Sequence, residues 1–301
     1  MNKRIIYLLR FFCFFLVLPA FSEPGIVVFQ SDFGIADGAV SAVKGVMYSV
    51  DRSLIISDLT NEIPPYNIWE ASYRLYQTAS YWPKNTVFLS VVDPGVGTTR
   101  RSIVALSKKG HYFVTPDNGT LTFIDAMYGI QEVRVIDETK NRLKGSQQSY
   151  TFYGRDVYGY TAAKLASGKI SFAEVGPVLK DPIVKLPYQK AFIKDKSLQG
   201  TIVILDPNYG NVWTDINQSL LNSYGVKVNQ SYKVTIFHKN EEKYSKTLKL
   251  HNTFGETAKD EELLYLNSLL NVSLAINQDD FAKKHQIGSG PEWTVRIEAL
   301  Q

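Results

Sequence analysis

Short apolar runs that end on carboxylates alternate with helix-patterned stretches over much of this chain, and that alternation constrains the fold more than any other feature. Gly25 to Gln30 is an apolar strand leading into Ser31-Asp32-Phe33-Gly34, and Gly38 to Val50 sets Val40, Val43, Val46 and Met47 at helical spacing. Leu54 to Leu59 is the next strand, followed by a helix predicted over Ile68 to Tyr81 that stops before Pro83. Strand Thr86 to Val92 follows, then Ser102 to Ser107 and Tyr112 to Thr115, and then Asn118-Gly119, a pair that tolerates positive φ and reads as a hairpin turn. Such a succession builds an α/β domain, three layers around a mostly parallel sheet.

Past Gly154-Arg155-Asp156 a helix is expected over Val157 to Ala166, and a polar, proline-bearing stretch then runs from Gly176 to Gln199. From Gly200 onward the pattern changes to short alternating strands, Thr201 to Leu205, Tyr232 to Phe237 and Trp293 to Ile297. The expected division is an N-terminal α/β domain over 23–193 and a mainly β, barrel-like domain over 194–301.

Residues 1–22 read as a cleavable signal peptide. Lys3, Arg4 and Arg10 precede an apolar core from Phe11 to Leu18, and a small-x-small ending lies at Ala20-Phe21-Ser22. That core is shorter than the roughly 20 residues a bilayer span needs, so no stable membrane anchor is expected, and the mature chain is expected in the periplasm or outside. Cleavage removes the sole cysteine, Cys13, and with it any disulfide or cysteine metal site. It also takes three positive charges from a formal +4, leaving about +1, so charge gives no argument for nucleic-acid binding.

The stretch Val91 to Arg101, VVDPGVGTTRR, places Asp93 at the carboxyl end of a strand, where parallel sheets carry their chemistry, and returns with Arg100 and Arg101 after a glycine-rich turn. The competing reading is a plain β-turn, in which Pro94 presets one dihedral and Gly95 supplies positive φ, with solvated arginines. Asp32 also ends a strand and suits a ribose diol, because one carboxylate accepts from two vicinal hydroxyls. Its alternative is helix capping, which fits Asp37 better since the helix begins nearer Asp37. The four histidines, His111, His238, His251 and His285, lack metal-ligand spacing, so no metal is expected. Neither a serine nucleophile elbow nor a glycine-rich P-loop is present in the sequence.

SDFGIADGAVSAVKGVMYSV, DLTNEIPPYNI, VVDPGVGTTRRS, TPDNGTLT, TFYGRDV, GNVWTDI and LNS occur in this order over nearly the whole mature chain. Together they resemble the motifs of the S-adenosyl-methionine hydroxide adenosyltransferase family, relatives of the fluorinase and chlorinase. The resemblance implies an N-terminal α/β domain, a C-terminal barrel-like domain, and a homotrimer whose active sites lie between the N domain of one subunit and the C domain of the next. It also implies attack of water or hydroxide on the 5′ carbon of S-adenosyl-methionine, a small-molecule substrate, to give adenosine and methionine without metal or cofactor. The leaving group is a neutral thioether and needs no proton. Positioning and desolvation supply roughly 7–11 kcal/mol of such a barrier, against about 10²–10⁴-fold from a general base.

By motif, the resemblance makes Asp93 the group that orients the water or accepts its proton, and Arg100 the group that holds Asp93 ionised and in place. It assigns Asp32 to the ribose hydroxyls, Asp37 and Asp206 to the methionine ammonium, Asn211 to the adenine edge, and Ser268 with Asn267 to the substrate carboxylate. Tyr66 and Trp213 become aromatic walls, a ring face attracting a sulfonium by roughly 0.5–2 kcal/mol. Plain readings stand beside these: a turn residue at Asn211, a helix-ending Asn-Ser pair at Asn267-Ser268, core aromatics at Tyr66 and Trp213, and a structural ion pair at Arg155-Asp156.

One family residue differs. The histidine of the family's TFHGRD is Tyr153 here, a phenol with a reference pKa of about 10. The halogenases also carry tyrosine there, but their halide-pocket threonine corresponds to Val96, and Asp93 stands where they have a tyrosine. A carboxylate repels a halide and suits water, so hydrolysis ranks above halogenation. An exported nucleoside- or S-adenosyl-methionine-binding protein with little turnover is the alternative, since this substrate is made in the cytosol.

Overall fold

The computed structural model describes residues 25–300, so the segment read as a signal peptide lies outside the described residues. Its first part runs β1 (Ile26–Ser31), α1 (Ala39–Val50), β2 (Ile55–Thr60), α2 (Ile68–Ala79), β3 (Val87–Val91), β4 (Ser102–Ser107), β5 (Tyr112–Pro116), α3 (Thr122–Met127), β6 (Ile130–Val135) and α4 (Tyr160–Ala166). The sheet order is β2-β1-β3-β5-β4-β6. β1 pairs in parallel with β2 and β3, and β3 with β5, whereas β4 is antiparallel to both its neighbours.

Strand alternation sorts the core into two layers. Val27, Phe29, Val87, Leu89 and Val91 pack with Val43 and Met47 of α1 and Ala162 and Ala163 of α4 on one face. Val28 and Phe88 pack with Leu75 and Ala79 of α2 and Ile124 of α3 on the other. The predicted three-layer α/β arrangement is therefore observed.

Two local expectations fail. Asn118-Gly119 does not close a hairpin: it carries the chain from β5 into α3, with Gly119 at φ +106°. β5 is already flanked by β3 and β4, so no edge remains for a hairpin partner. The helix predicted from Val157 starts earlier, as a π-helical turn over Gly154–Gly159, before continuing as α4. Gly154 permits this by close approach, since a Cβ there would lie 3.0 Å from Val91 Cγ1 and 3.1 Å from Phe33 Cζ.

The second part runs β7 (Phe192–Lys194), β8 (Ser197–Leu205), β9 (Val212–Asn217), α5 (Gln218–Tyr224), β10 (Ser231–His238), β11 (Glu241–Lys249), β12 (Glu262–Leu266), β13 (Asn271–Ile276), α6 (Phe281–His285) and β14 (Trp293–Ala299). Its sheet follows β11-β10-β14-β8-β9-β13-β12, with every named strand pair antiparallel. A bridge between Leu250 and Leu264 draws the two ends together, so the sheet is a nearly closed barrel around Leu198, Ile202, Val234, Leu274 and Ile297.

A strap without regular structure joins the two parts. Its Val184 and Leu186 N–H groups donate to Asp117 Oδ1 and Thr122 Oγ1, both at 2.9 Å. Farther along, Tyr188 Oη and Ala191 N both donate to Asp215 Oδ2 at 2.8 Å. Trp69 of α2 adds a bond from Nε1 to the Val203 carbonyl, 2.7 Å, against Phe123 and Tyr188.

Asp215 is 6% exposed. Burial pushes its carboxyl up to about 6, against bonds from Thr201, Tyr188 and Ala191 that pull it down. Because the folded-state value is raised above the unfolded one, this group's contribution is fully present below the unfolded value near 3.8 and is lost as pH rises through about 6. Denaturant titrations from pH 4 to 7 should therefore show stability falling by up to roughly 3 kcal/mol more in the parent than in Asp215→Asn, whose own stability starts lower.

Candidate functional site

In this strand order, β1 and β3 are neighbours whose following connections leave in opposite directions, with β2 outside one and β5 outside the other. The crevice beyond their carboxyl ends is where such sheets bind ligands. It holds a cavity of about 360 Å³ lined by Asp32, Phe33, Pro65, Tyr66, Val91, Asp93, Val96 and the segment Thr151 to Gly154.

Asp93 lies two residues past the last residue of β3. The 93–101 loop is two successive turns, Val96 N to Asp93 O and Thr98 N to Gly95 O, each 3.2 Å. The positive φ expected at Gly95 is found instead at Gly97, +76°, where a Cβ would lie 2.7 Å from the Tyr150 carbonyl. These turns swing Arg100 back onto Asp93. Arg100 Nε donates to Asp93 Oδ1 at 2.7 Å and Nη2 donates to Oδ2, a planar fork on a carboxylate. The two side chains are 11% and 5% exposed. Burial lowers the guanidinium pKa, but the bond to Asp93 and the charges around it more than offset this and leave it raised. These arginine contacts are not those of a solvated surface turn.

Tyr153 caps the π-helical turn and is buried. The Arg100 guanidinium carbon lies 5.4 Å from its ring centre and that of Arg142 lies 4.9 Å away. Asp32 caps no helix: its Oδ2 accepts from Tyr66 N at 2.9 Å, and Tyr66 holds φ +67° with its ring largely exposed. Asp37 is exposed, outside this cavity, and accepts from Ala39 N at 2.8 Å at the start of α1. Arg155 and Asp156 form the expected ion pair, Nε to Oδ1 2.7 Å.

The remaining candidates sit elsewhere in the same chain. Asn211 lines a separate cavity of about 500 Å³ with Tyr209, Phe254 and Asp280. Asp206 accepts from Asn208 N and Tyr209 N in the adjoining turn. Trp213 packs beside the Trp69 and Val203 cluster between the two parts and does not line the cavity that holds Tyr66. Asn267 ties its own turn, accepting from Leu269 N and Asn271 N and donating to Ser273 Oγ. Ser268 lines a third cavity, about 600 Å³, with Glu70, Arg74 and Pro207.

Sequence reasoning missed three residues. Asn118 donates from Nδ2 to the Val92 carbonyl, 2.9 Å, and so pins the peptide just before Asp93. Tyr158, fully buried, reaches Asp93 from beneath. Arg142 organises the approach to Tyr153, bonding Glu138 Oε2, Ser146 Oγ and the carbonyls of Ser146 and Ser149. Turn chemistry marked Asn118 and helical spacing marked Tyr158, but neither signal pointed to Asp93, and Arg142 lies in a stretch that no pattern marks. Among the described residues no group of three or more His, Cys, Asp or Glu side chains is close enough to hold a metal ion, and no helix is long and apolar enough to cross a membrane.

Residues 27–176 match the SAM hydroxide adenosyltransferase N-terminal domain and residues 200–294 the SAM hydroxide adenosyltransferase C-terminal domain, SAM being S-adenosyl-methionine. The chain belongs to the SAM hydroxide adenosyltransferase family. Among its relatives, the (R)-S-adenosyl-L-methionine hydrolase of Salinispora tropica is 33% identical over 255 residues, covering 83% of this chain and 90% of the relative. The fluorinase of Actinopolyspora mzabensis is 27% identical, covering 92% and 98%. A crystal structure of an uncharacterised conserved protein from Thermotoga maritima superposes with a TM-score of 0.82 at 31% identity, covering 90% of this chain and 99% of that one.

Within this family member, Arg142 joins residues 138, 146 and 149 to the ring of Tyr153. Arg142→Ala should raise amide hydrogen exchange over residues 146–152 by about 10-fold or more, the loss of one to two charge-assisted bonds, while the barrel strands keep their protection. Mass-spectrometric exchange on the two proteins checks this.

Proposed function

We propose that this protein hydrolyses S-adenosyl-methionine to adenosine and methionine by in-line attack of water on the 5′ carbon. The observation that carries the reading is the forked Arg100–Asp93 pair at the wall of the β1–β3 crevice, beside Asp32 and Tyr153. Water's oxygen forms the new bond to the 5′ carbon, the carbon–sulfur pair leaves on a neutral thioether, and the water's proton passes to Asp93 and then to solvent. Arg100 fixes the plane of the carboxylate, which converts base catalysis into positioning. No metal, cofactor or general acid has a part in this scheme.

Asp32, with Oδ2 on Tyr66 N, is the proposed ribose ligand, and the rings of Phe33, Tyr66, Phe152 and Tyr153 are the faces offered to the sulfonium. Val96 lines the cavity with Asp93, so a halide entering it meets an apolar side chain and a carboxylate, which favours water. Tyr153 takes the station of the family histidine as a wall fixed by two arginines.

The remaining ligands, Asp37, Asp206, Asn211, Trp213, Asn267 and Ser268, are proposed to act across subunits. Asn211 lines its own cavity in the barrel, and Tyr66 and Tyr209 project exposed rings at the two cavities, which supports a homotrimer that sets one against the other. We further propose that the mature protein is exported and acts on S-adenosyl-methionine outside the cytosol.

Purified protein starting at residue 23, incubated with S-adenosyl-methionine, should release adenosine and methionine with or without chloride. Asp93→Ala should lower that rate by about 10²–10⁴-fold. Saturable adenosine binding without turnover would instead establish the nucleoside-binding alternative. Co-expressing Asp93→Ala with Asn211→Ala chains should restore activity to about a quarter of the parent rate if sites are shared between neighbours, and to none if each chain is self-sufficient.

A further inference from the structure

Beneath the Asp93 carboxylate runs a short chain of hydroxyls that the proposed chemistry has not used. Arg100 Nη1 donates to Ser102 Oγ at 3.1 Å, Ser102 Oγ donates to Tyr158 Oη at 3.2 Å, and Tyr158 Oη donates to Asp93 Oδ2 at 3.5 Å. The direction of this chain is fixed by its ends. A guanidinium only donates and a carboxylate only accepts, so each hydroxyl between them passes its single proton toward Asp93. Burial, and then the nearby Asp93 charge, push the Tyr158 phenol well above its ordinary value, so it keeps the proton it must donate.

The same bonds count out the acceptor sites of Asp93. Oδ2 receives Arg100 Nη2 and, as a longer contact at 3.5 Å, Tyr158 Oη, whereas Oδ1 receives only Arg100 Nε among the described residues. The Arg100 guanidinium also lies between two rings, 5.4 Å from the centres of both Tyr153 and Tyr158, so Tyr158 holds both partners of the pair. We infer that Tyr158 is a positioning residue that occupies Oδ2 and so assigns Oδ1 as the oxygen that receives the attacking water. This rests on the hydrolase reading above.

The experiment has a kinetic arm and an arm that needs no turnover. Tyr158→Phe keeps the buried ring and deletes only the hydroxyl; it should lower kcat about 10-fold, the worth of one hydrogen bond, and leave KM within about twofold. Ser102→Ala should lower kcat in the same sense, and the double variant should lose less than the product of the two single losses, because Ser102 acts partly through the phenol while also accepting from Arg100 Nη1. An unchanged kcat in Tyr158→Phe, or losses that multiply in the double variant, overturns the assignment.

In the second arm, urea unfolding of the parent, Tyr158→Phe, Asp93→Ala and the double variant forms a cycle. The phenol should couple to Asp93 by at least about fivefold in the unfolding constant. Coupling near onefold overturns the role of Tyr158 whether or not the protein turns over substrate. Fivefold coupling in a parent protein that releases no adenosine retains the Tyr158–Asp93 contact and overturns the hydrolase reading alone.

Discussion

The ion pair between Arg100 and Asp93 is the interaction on which the site depends. A carboxylate buried at a strand end is costly unless its charge is met, and a partner that is itself mostly buried must be met in turn. The fold answers both needs within eight residues, since the two turns after β3 return Arg100 in a planar fork on Asp93. Removing either member leaves the other stranded, so the pair is a structural constraint as well as a chemical one. Its neighbours follow: Gly97 allows the turn, Asn118 ties down the preceding peptide, and Tyr153 and Tyr158 offer ring faces to the guanidinium.

The tyrosine in place of the family histidine gains a physical explanation from this arrangement. Tyr153 does not point a free base into an open cleft; it is a buried ring whose centre lies 5.4 Å from the Arg100 guanidinium and 4.9 Å from that of Arg142. In the proposed hydrolase, where positioning carries most of the barrier, such a change costs less than in a site that relies on a single base, because the geometry around Asp93 is set by other groups. The π-helical turn that follows belongs to the same design, as Gly154 lets it press onto Val91 and Phe33 at the cavity wall.

The family pattern and the single chain divide the proposed ligands in an informative way. Asp32, Tyr66, Asp93 and Tyr153 share a cavity, whereas Asn211 and Ser268 each line a different one and Trp213 lies in the seam between the two parts. The strap bonded to Asp117, Thr122 and Asp215 fixes that separation within one chain. A motif order along the sequence therefore did not translate into one cluster of side chains.

Periodicity in the sequence was enough to specify the layers: apolar alternation in β1 and β3 must face two sides, and helical spacing in α1 must cover one of them. It was also enough to set Asp32 and Asp93 at strand ends, because a chain leaving a parallel strand must do so at its carboxyl edge. The hairpin read at Asn118-Gly119 failed because turn propensity is local, while the places beside β5 were taken by β3 and by β4, whose pairing no short window contains. Tyr158 was invisible for a related reason: its partners Ser102 and Asp93 lie 56 and 65 residues away, and no residue pattern encodes which buried hydroxyl will meet which carboxylate. Arg142 bonds only 4 to 7 residues away, but in a stretch without regular structure whose course no periodicity marks. Composition and spacing decided the architecture and the chemistry available at its edge; only tertiary packing decided which atoms of Asp93 are already occupied.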